Sequence, residues 1–324
     1  MTYNFDPELA AALEFLPEGG LDLSNPEETR KGFLEMVEAM NADIDQSGVT
    51  TDNRNIPGPD GAPEVPIRIY RPEQQSGKVA GILHIHGGGF VVGNLDSELG
   101  SCINLCQELG VVVVSVDYRL SPETAFPGGL EDCYAALQWM HDNCDELNVD
   151  ATRIAVLGMS AGGGLSAATA LLARERGGPA LCFQYLGIPE LDDRLTTVSM
   201  QTFVDTPMWN RPSAELSWDA YLGADYRRGA DDVPHLAAPA RATEKELAGL
   251  PPAYVSTMEF DPLRDEGIDY AVKLLQAGVS TEVHSFPGTF HGSSLFTFAA
   301  VSQRESREQL AVLRRALQIE APGQ

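Results

Sequence analysis

The sequence has 324 residues, of which 43% are hydrophobic, and a formal net charge of −25 at pH 7. This length and composition suit one large domain with a buried core. The strong negative charge argues against nucleic acid or an anionic membrane surface as a partner, and the chain has no apolar run of the roughly eighteen residues that a transmembrane helix needs.

Residues 1–45 are predicted to form helices. Pro7–Leu16 and Pro26–Met40 carry leucine, phenylalanine and methionine at helical spacing, which indicates packing. Asn25 is a suitable N-cap for the second helix, because proline occupies its first turn. The start of the chain lacks the basic segment followed by an apolar segment that marks a signal peptide, so we expect a cytoplasmic protein.

From residue 46 onwards, predicted strands alternate with predicted helices. The strands are Val65–Arg71, Val79–Ile85, Val111–Asp117, Arg153–Leu157, Leu181–Ile188, Pro252–Met258 and Thr281–Phe286. The helices are Asp96–Leu109, one ending at Met140, Leu165–Arg174, one ending at Gln276, and Gln303–Ile319. This alternation predicts an α/β fold with a doubly wound, mostly parallel sheet, whose two parts are residues 46–188 and 229–324.

The alternation breaks over residues 189–228. Within this insertion, Phe203–Trp209 and Trp218–Gly223 are rich in aromatic residues and are predicted to be helical. We expect the insertion and the helices of residues 1–45 to form a cap over the functional site. The alternative is a surface elaboration with no role in function.

A candidate nucleophile, Ser160, lies where a predicted strand turns into a predicted helix. The corner reads Gly158-Met159-Ser160-Ala161-Gly162, which is a Gly-x-Ser-x-Gly pattern. At such a corner the serine takes a strained backbone that exposes its hydroxyl, and the glycines let strand and helix approach each other. The start of the helix directs free N–H groups and the positive end of its dipole at the place where an oxyanion would form.

A second glycine-rich segment, His86-Gly87-Gly88-Gly89-Phe90, follows the predicted strand Val79–Ile85. Three consecutive glycines allow a tight turn that presents backbone N–H groups with no side chains in the way. We therefore predict an oxyanion-hole loop here, in preference to a flexible hairpin loop.

A serine nucleophile needs a base, and the base needs a partner that fixes its tautomer. Of the six histidines, His291 is predicted to lie in a loop, residues 288–292, just beyond a strand, where parallel folds place their sites. The other five are assigned to strand interiors (His84, His284), to the glycine loop (His86) or to segments without a motif (His141, His235). Asp261 is the preferred acid because it follows a predicted strand and precedes Pro262, and Glu259 remains the alternative.

Five motifs occur in an order that resembles the hormone-sensitive-lipase family, in its bacterial esterase branch. They are His86-Gly87-Gly88-Gly89, Asp117-Tyr118-Arg119-Leu120, Gly158-Met159-Ser160-Ala161-Gly162-Gly163, Asp261-Pro262-Leu263-Arg264-Asp265-Glu266 and Phe290-His291-Gly292. The resemblance extends over nearly the whole chain, and Phe203–Gly223 is similar to the cap segment of the family.

The resemblance implies an α/β-hydrolase fold with a helical cap and with no metal or cofactor. The site residues that it implies are a triad of Ser160, Asp261 and His291 and an oxyanion hole formed by the N–H groups of Gly88, Gly89 and Ala161. Met159 departs from the family pattern, in which Asp or Thr usually precedes the serine.

These features predict a serine carboxylesterase that hydrolyses short-to-medium acyl esters through an acyl-enzyme intermediate. Its partner is a small-molecule ester, and homodimer formation is left open. One alternative is a ligand-binding receptor on the same fold, but such receptors have lost triad members. A second alternative is a hydrolase of amides, carbamates or lactones, since one triad serves all of these bonds. The five cysteines are scattered through predicted core segments and are expected to be free, buried thiols.

Overall fold

The computed structural model describes residues 3–15 and 21–320. The strands are β1 (Val49–Ile56), β2 (Val65–Pro72), β3 (Val79–Ile85), β4 (Val112–Val116), β5 (Val149–Met159), β6 (Phe183–Gly187), β7 (Ala253–Phe260) and β8 (Thr281–Phe290). The helices are α1 (Pro7–Ala12), α2 (Pro26–Asn41), α3 (Leu99–Leu109), α4 (Gly128–Asp142), α5 (Cys144–Leu147), α6 (Ala161–Arg176), α7 (Val198–Thr202), α8 (Arg211–Leu222), α9 (Glu244–Leu247), α10 (Arg264–Gln276) and α11 (Ala300–Ala316).

Within the described residues, eight strands form one sheet in the order β1-β2-β4-β3-β5-β6-β7-β8. β2 is antiparallel to both of its neighbours, β1 and β4. The remaining neighbours, from β4 across to β8, are parallel to one another. The predicted doubly wound, mostly parallel sheet is confirmed.

Helices cover both faces of the sheet, and the valine run of β4 shows why the sequence requires this. Val112 and Val114 pack into the core on the face of α4 and α6, whereas Val113 packs into the core formed with α3 and α11. Side chains along a strand point alternately to the two faces, so a strand buried on both faces is mostly apolar, as β4 is at every position except Ser115.

The second N-terminal helix, α2, begins as its sequence predicts. Pro26 is its first residue, and the Asn25 side chain accepts a hydrogen bond from the Glu28 N–H. The first helix is shorter than predicted: α1 ends at Ala12 and a single 3₁₀ turn, Leu13–Phe15, follows. Leu16, the predicted end of that helix, lies outside the described residues.

Two local predictions are wrong. Residues 203–209 do not form a helix, since α7 ends at Thr202, and Pro207 disfavours helical geometry at the residue before it. Residues 288–292 are not entirely a loop either, because β8 continues to Phe290, where it pairs with Phe260 of β7. The helix predicted at Trp218–Gly223 is confirmed as far as Leu222, where α8 ends.

The described helices include none with the length and apolar character that crossing a bilayer requires. All five cysteines are free thiols, and four of them are buried while Cys182 is half-buried. The prediction of free thiols is therefore confirmed.

Candidate active site

Ser160 occupies the turn between β5 and α6. Its backbone has φ 57° and ψ −123°, a conformation that is strained for any residue with a side chain. Three backbone hydrogen bonds hold it there. The Ser160 N–H donates to the Gly187 carbonyl over 2.8 Å, and the Ser160 carbonyl accepts from the N–H groups of Gly164 and Glu190 over 3.0 and 3.1 Å. A Cβ atom at Gly162 would overlap the carbonyl oxygen of Ile85, so this glycine allows α6 to start directly above the end of β3.

The ends of β7 and β8 bring an acid and a histidine to this serine. His291 Nε2 lies 2.9 Å from Ser160 Oγ, and His291 Nδ1 lies 2.7 Å from Asp261 Oδ2. Asp261 is fully buried, and its other oxygen, Oδ1, accepts the N–H of Leu263 over 2.9 Å. The three predicted residues thus form one continuous hydrogen-bonded chain at the carboxyl ends of parallel strands.

Glu259, the alternative acid, makes different contacts. It lies within β7, and its Oε2 accepts the N–H of Gly288 over 2.6 Å. This hydrogen bond joins β7 to β8. Asp261, rather than Glu259, is hydrogen-bonded to His291.

The glycine loop between β3 and α3 lies beside the serine. The Gly88 carbonyl accepts hydrogen bonds from the N–H groups of Val91 and Val92, both over 3.0 Å. Gly88 has φ 114°, a value that strongly favours glycine. These bonds close the tight turn expected for an oxyanion-hole loop.

His86 anchors the same loop from below. Its ring stacks on Tyr118 with 4.2 Å between ring centroids, and the Tyr118 hydroxyl donates to the His86 carbonyl over 3.1 Å. Burial lowers the pKa of His86 to about 4, so the ring is neutral at physiological pH. These contacts hold His86, which the sequence places in the glycine loop, against Tyr118.

Side chains from two segments that are distant in the sequence, Leu23 and Trp209, lie close to the site. The Trp209 ring centroid is 5.7 Å from that of His291. A Cβ atom at Gly89 would lie 2.6 Å from Trp209 Cη2 and 3.2 Å from Leu23 Cδ1, so both side chains pack directly onto this glycine. Ser160 and His291 are consequently only 8% and 7% exposed.

Sequence reasoning missed Trp209 and Arg30 as individual residues. Arg30, on α2, donates to the carbonyls of Val91 and Ser121, each over 2.8 Å, and forms a bidentate ion pair with Glu123. It therefore joins the N-terminal segment to the glycine loop. No motif marks Arg30, and the aromatic composition of the insertion does not distinguish Trp209 from Trp218.

Met159, which departs from the family pattern, is half-buried. Its thioether occupies the space that a side chain at Gly187 would need. The Met159 side chain packs against two hydrophobic clusters, one that includes residues of α11 and one that includes Phe290. An apolar side chain here fills space against β6.

A serine on a strand-to-helix corner, a histidine and an acid at later strand ends and a mostly parallel sheet together define an α/β-hydrolase. A family model described as alpha/beta hydrolase fold matches residues 82–295. The chain belongs to this family, in its hormone-sensitive-lipase-like group.

Several relatives of this chain are named esterases or ester hydrolases. Carboxylesterase NlhH of Mycobacterium tuberculosis is 40% identical over 263 residues, which cover 80% of this chain and 81% of the relative. The ethyl acetate hydrolase of Pseudomonas putida is 32% identical over 298 residues, which cover 89% of this chain and 91% of the relative. The solved structure of a bacterial heroin esterase superposes with a TM-score of 0.94 at 54% identity, covering 97% of this chain and 98% of the other. The protein is a carboxylic ester hydrolase, which favours the enzyme over the receptor alternative.

Proposed function

We propose that this protein is a serine carboxylesterase that hydrolyses short-to-medium acyl esters through an acyl-enzyme intermediate. The observation that carries the proposal is the hydrogen-bonded chain from Asp261 through His291 to Ser160. The carboxylesterase and ethyl acetate hydrolase relatives support the choice of bond.

Acylation begins at the serine hydroxyl. His291 Nε2 takes the Ser160 proton while Oγ attacks the ester carbonyl, and Asp261 stabilises the imidazolium that results. The carbonyl oxygen becomes an oxyanion, for which the N–H groups of Gly88, Gly89 and Ala161 are the proposed donors. The intermediate then expels the alcohol, which leaves with the proton held by His291.

Deacylation repeats the same proton transfers with water. His291 removes a proton from a water molecule, whose oxygen attacks the acyl carbonyl and forms a second oxyanion. The C–O bond to Ser160 breaks, the serine regains the proton from His291, and the carboxylic acid is released. No cofactor takes part in the proposed cycle.

The proposed preference for shorter acyl chains rests on the cap, for which we propose residues 1–45 and 189–228. Trp209 and Leu23 close over Gly89, next to the serine. A closed apolar pocket gains about 0.8 kcal/mol for each methylene that it buries, until the chain meets the wall. Beyond that length, packed side chains must move, at a cost of about 1–3 kcal/mol.

The nucleophile is tested with Ser160→Ala. The variant should fold, and its esterase rate should fall by a factor on the order of 10⁴ or more. An organophosphate should label the wild type once, at Ser160, and should not label the variant. Undiminished turnover by Ser160→Ala would overturn the proposal.

The same assay separates esters from the other bonds that a triad can cleave. Chromogenic esters, amides and lactones of matched acyl length are compared on the wild type, and we expect the esters to have the highest kcat/KM. Faster turnover of an amide or a lactone would transfer the assignment to that bond. The cytoplasmic location stays a prediction from the sequence, and homodimer formation stays open.

A further inference from the structure

The Arg30 side chain takes no part in the proposed cycle, yet four hydrogen bonds fix its guanidinium group. Nε donates to the Val91 carbonyl and Nη2 donates to the Ser121 carbonyl, each over 2.8 Å. Nη1 and Nη2 also donate to the two carboxyl oxygens of Glu123, over 2.8 and 2.7 Å. The guanidinium donors form a rigid planar fork, so these bonds fix both the position and the plane of the charged group.

The Val91 carbonyl connects Arg30 to the proposed oxyanion hole through two peptide groups. This carbonyl shares a trans peptide with the Val92 N–H, which donates to the Gly88 carbonyl over 3.0 Å. The Gly88 carbonyl in turn shares a trans peptide with the Gly89 N–H, a proposed oxyanion donor. In a planar trans peptide the C=O and N–H groups point in opposite directions, so each bond directs the next N–H. Hydrogen bonds in such a chain also polarise one another.

A second branch of hydrogen bonds reaches the same Gly88 carbonyl. The Ser121 N–H donates to the Phe90 carbonyl over 2.9 Å, and the N–H of the next residue, Val91, donates to Gly88 over 3.0 Å. Phe90 has φ 61°, a strained value that persists only where the surrounding contacts fix the backbone. Arg30 binds the carbonyls of both Ser121 and Val91, so its guanidinium holds the two branches together.

The contacts of Arg30 with the two carbonyls differ from the other attachments of α2. Val37 is the one buried residue among the sixteen of this helix, all of which the structure describes. At the end of the helix, Asn41 Nδ2 donates to the Asp96 carbonyl over 2.8 Å, which fastens α2 without involving the Gly88 turn. The Glu123 side chain is 62% exposed, and so open an ion pair contributes little by itself.

We propose that Arg30 is a positioning residue for the oxyanion hole, whose guanidinium directs and polarises the Gly89 N–H through the Val91–Val92 and Gly88–Gly89 peptides. The chain of hydrogen bonds begins at a fixed positive charge and ends where the oxyanion forms. Its effect is largest when the carbonyl oxygen carries a negative charge, in the transition states of both acylation and deacylation. The neutral bound ester gains little from it, so Arg30 acts on kcat more than on KM.

This inference rests on the proposed function, and its test is kcat and KM of Arg30→Ala for p-nitrophenyl butyrate. We expect kcat to fall roughly tenfold, less than the loss of about 10²–10³ that follows removal of a direct oxyanion donor. KM should change by less than about twofold. Guanidinium chloride, at concentrations too low to unfold the protein, should restore part of kcat by occupying the vacated place. Sodium chloride at the same concentration should restore none.

The conservative variant is Arg30→Lys. A lysine keeps the charge but has a compact ammonium group without the planar fork, so it cannot hold both carbonyls and Glu123 as arginine does. Its kcat should lie between those of the wild type and Arg30→Ala. This variant also keeps the test decisive if Arg30→Ala does not fold, because wild-type kcat in Arg30→Lys would contradict the proposal.

Two controls separate this role from general attachment. Asn41→Ala removes the other polar attachment of α2 described above. Arg176→Ala removes a second bidentate ion pair, with Glu131 at 2.8 and 2.6 Å, at the opposite end of α6 from Ser160. Both controls should keep wild-type kcat, and circular dichroism shows whether each variant folds.

Three results would overturn the role of Arg30. They are wild-type kcat in Arg30→Ala, a loss of kcat that guanidinium does not reverse, and an equal loss in Asn41→Ala. Turnover by Ser160→Ala would instead overturn the proposed function, so the two failures are distinguishable.

Discussion

Asp261→Asn tests how the acid acts, because the structure fixes which way the new amide must face. Asp261 Oδ1 accepts the Leu263 N–H and Oδ2 faces His291 Nδ1. In the asparagine, the carbonyl oxygen must keep the Leu263 bond, so the NH₂ group turns toward His291. Nδ1 then has to accept, and the ring proton moves to Nε2.

A proton on Nε2 faces Ser160 and prevents that nitrogen from taking the hydroxyl proton. We expect kcat to fall by roughly 10³–10⁴, as the wrong tautomer does in other serine hydrolases. At 1.36 kcal/mol for each tenfold change, this corresponds to about 4–5 kcal/mol of transition-state stabilisation. The measurement is kcat and KM for p-nitrophenyl butyrate, and KM should change far less than kcat.

Glu259→Gln is the matched control, two residues away. Its amide oxygen can still accept the Gly288 N–H that Glu259 Oε2 accepts now, so kcat should fall by less than about tenfold. Equal circular dichroism spectra show that both variants fold. A larger loss in Glu259→Gln than in Asp261→Asn would refute the reasoning and transfer the role to Glu259.

Two further outcomes are expected. For p-nitrophenyl esters, kcat/KM should rise from acetyl to about butyryl or hexanoyl and then fall, and Trp209→Ala should move the maximum to longer chains; a wild-type maximum at palmitoyl would contradict the closed pocket. Burial raises the pKa of Glu305 to about 8 in the folded protein, whereas a glutamate in the unfolded chain has a pKa of about 4.3. The stability that this carboxyl contributes is therefore complete below pH about 4.3 and is lost as the pH rises through 8. Glu305→Gln should therefore raise Tm relative to the wild type more at pH 8 than at pH 5. An equal increase in Tm at the two pH values would contradict the raised pKa of Glu305.

The strands and the nucleophile corner could be predicted because their signals are local. The run Val112–Val116 is apolar at every position except Ser115, which is the pattern that a strand buried on both faces favours. The steric requirements of the strand-to-helix corner are met within the five residues of the Gly-x-Ser-x-Gly pattern. The second glycine of the pattern, Gly162, is required because a side chain there would clash with Ile85. The doubly wound sheet follows from the alternation of such elements.

Local sequence only partly decides whether Asp261 or Glu259 is the acid that contacts His291. Two residues apart, they point to the same face of an ideal strand. The pairing of β7 with β8 shifts register between Met258 and Phe260, and Asp261 lies beyond the end of β7 while Glu259 remains inside it. Chain order favoured Asp261, but the hydrogen-bond partners of the two acids exist only in the assembled sheet.

The sequence by itself determined most of the element types, the parallel sheet and the candidate triad, because these depend on side-chain periodicity and on short motifs. Tertiary structure decided what surrounds the reacting atoms. Ser160 and His291 are 131 positions apart, Arg30 reaches the glycine loop from 61 positions away, and Ser217 reaches Gly89 across 128. Contacts of this kind leave no periodic signal in the chain, since each depends on the path of several loops and on the burial that packing creates.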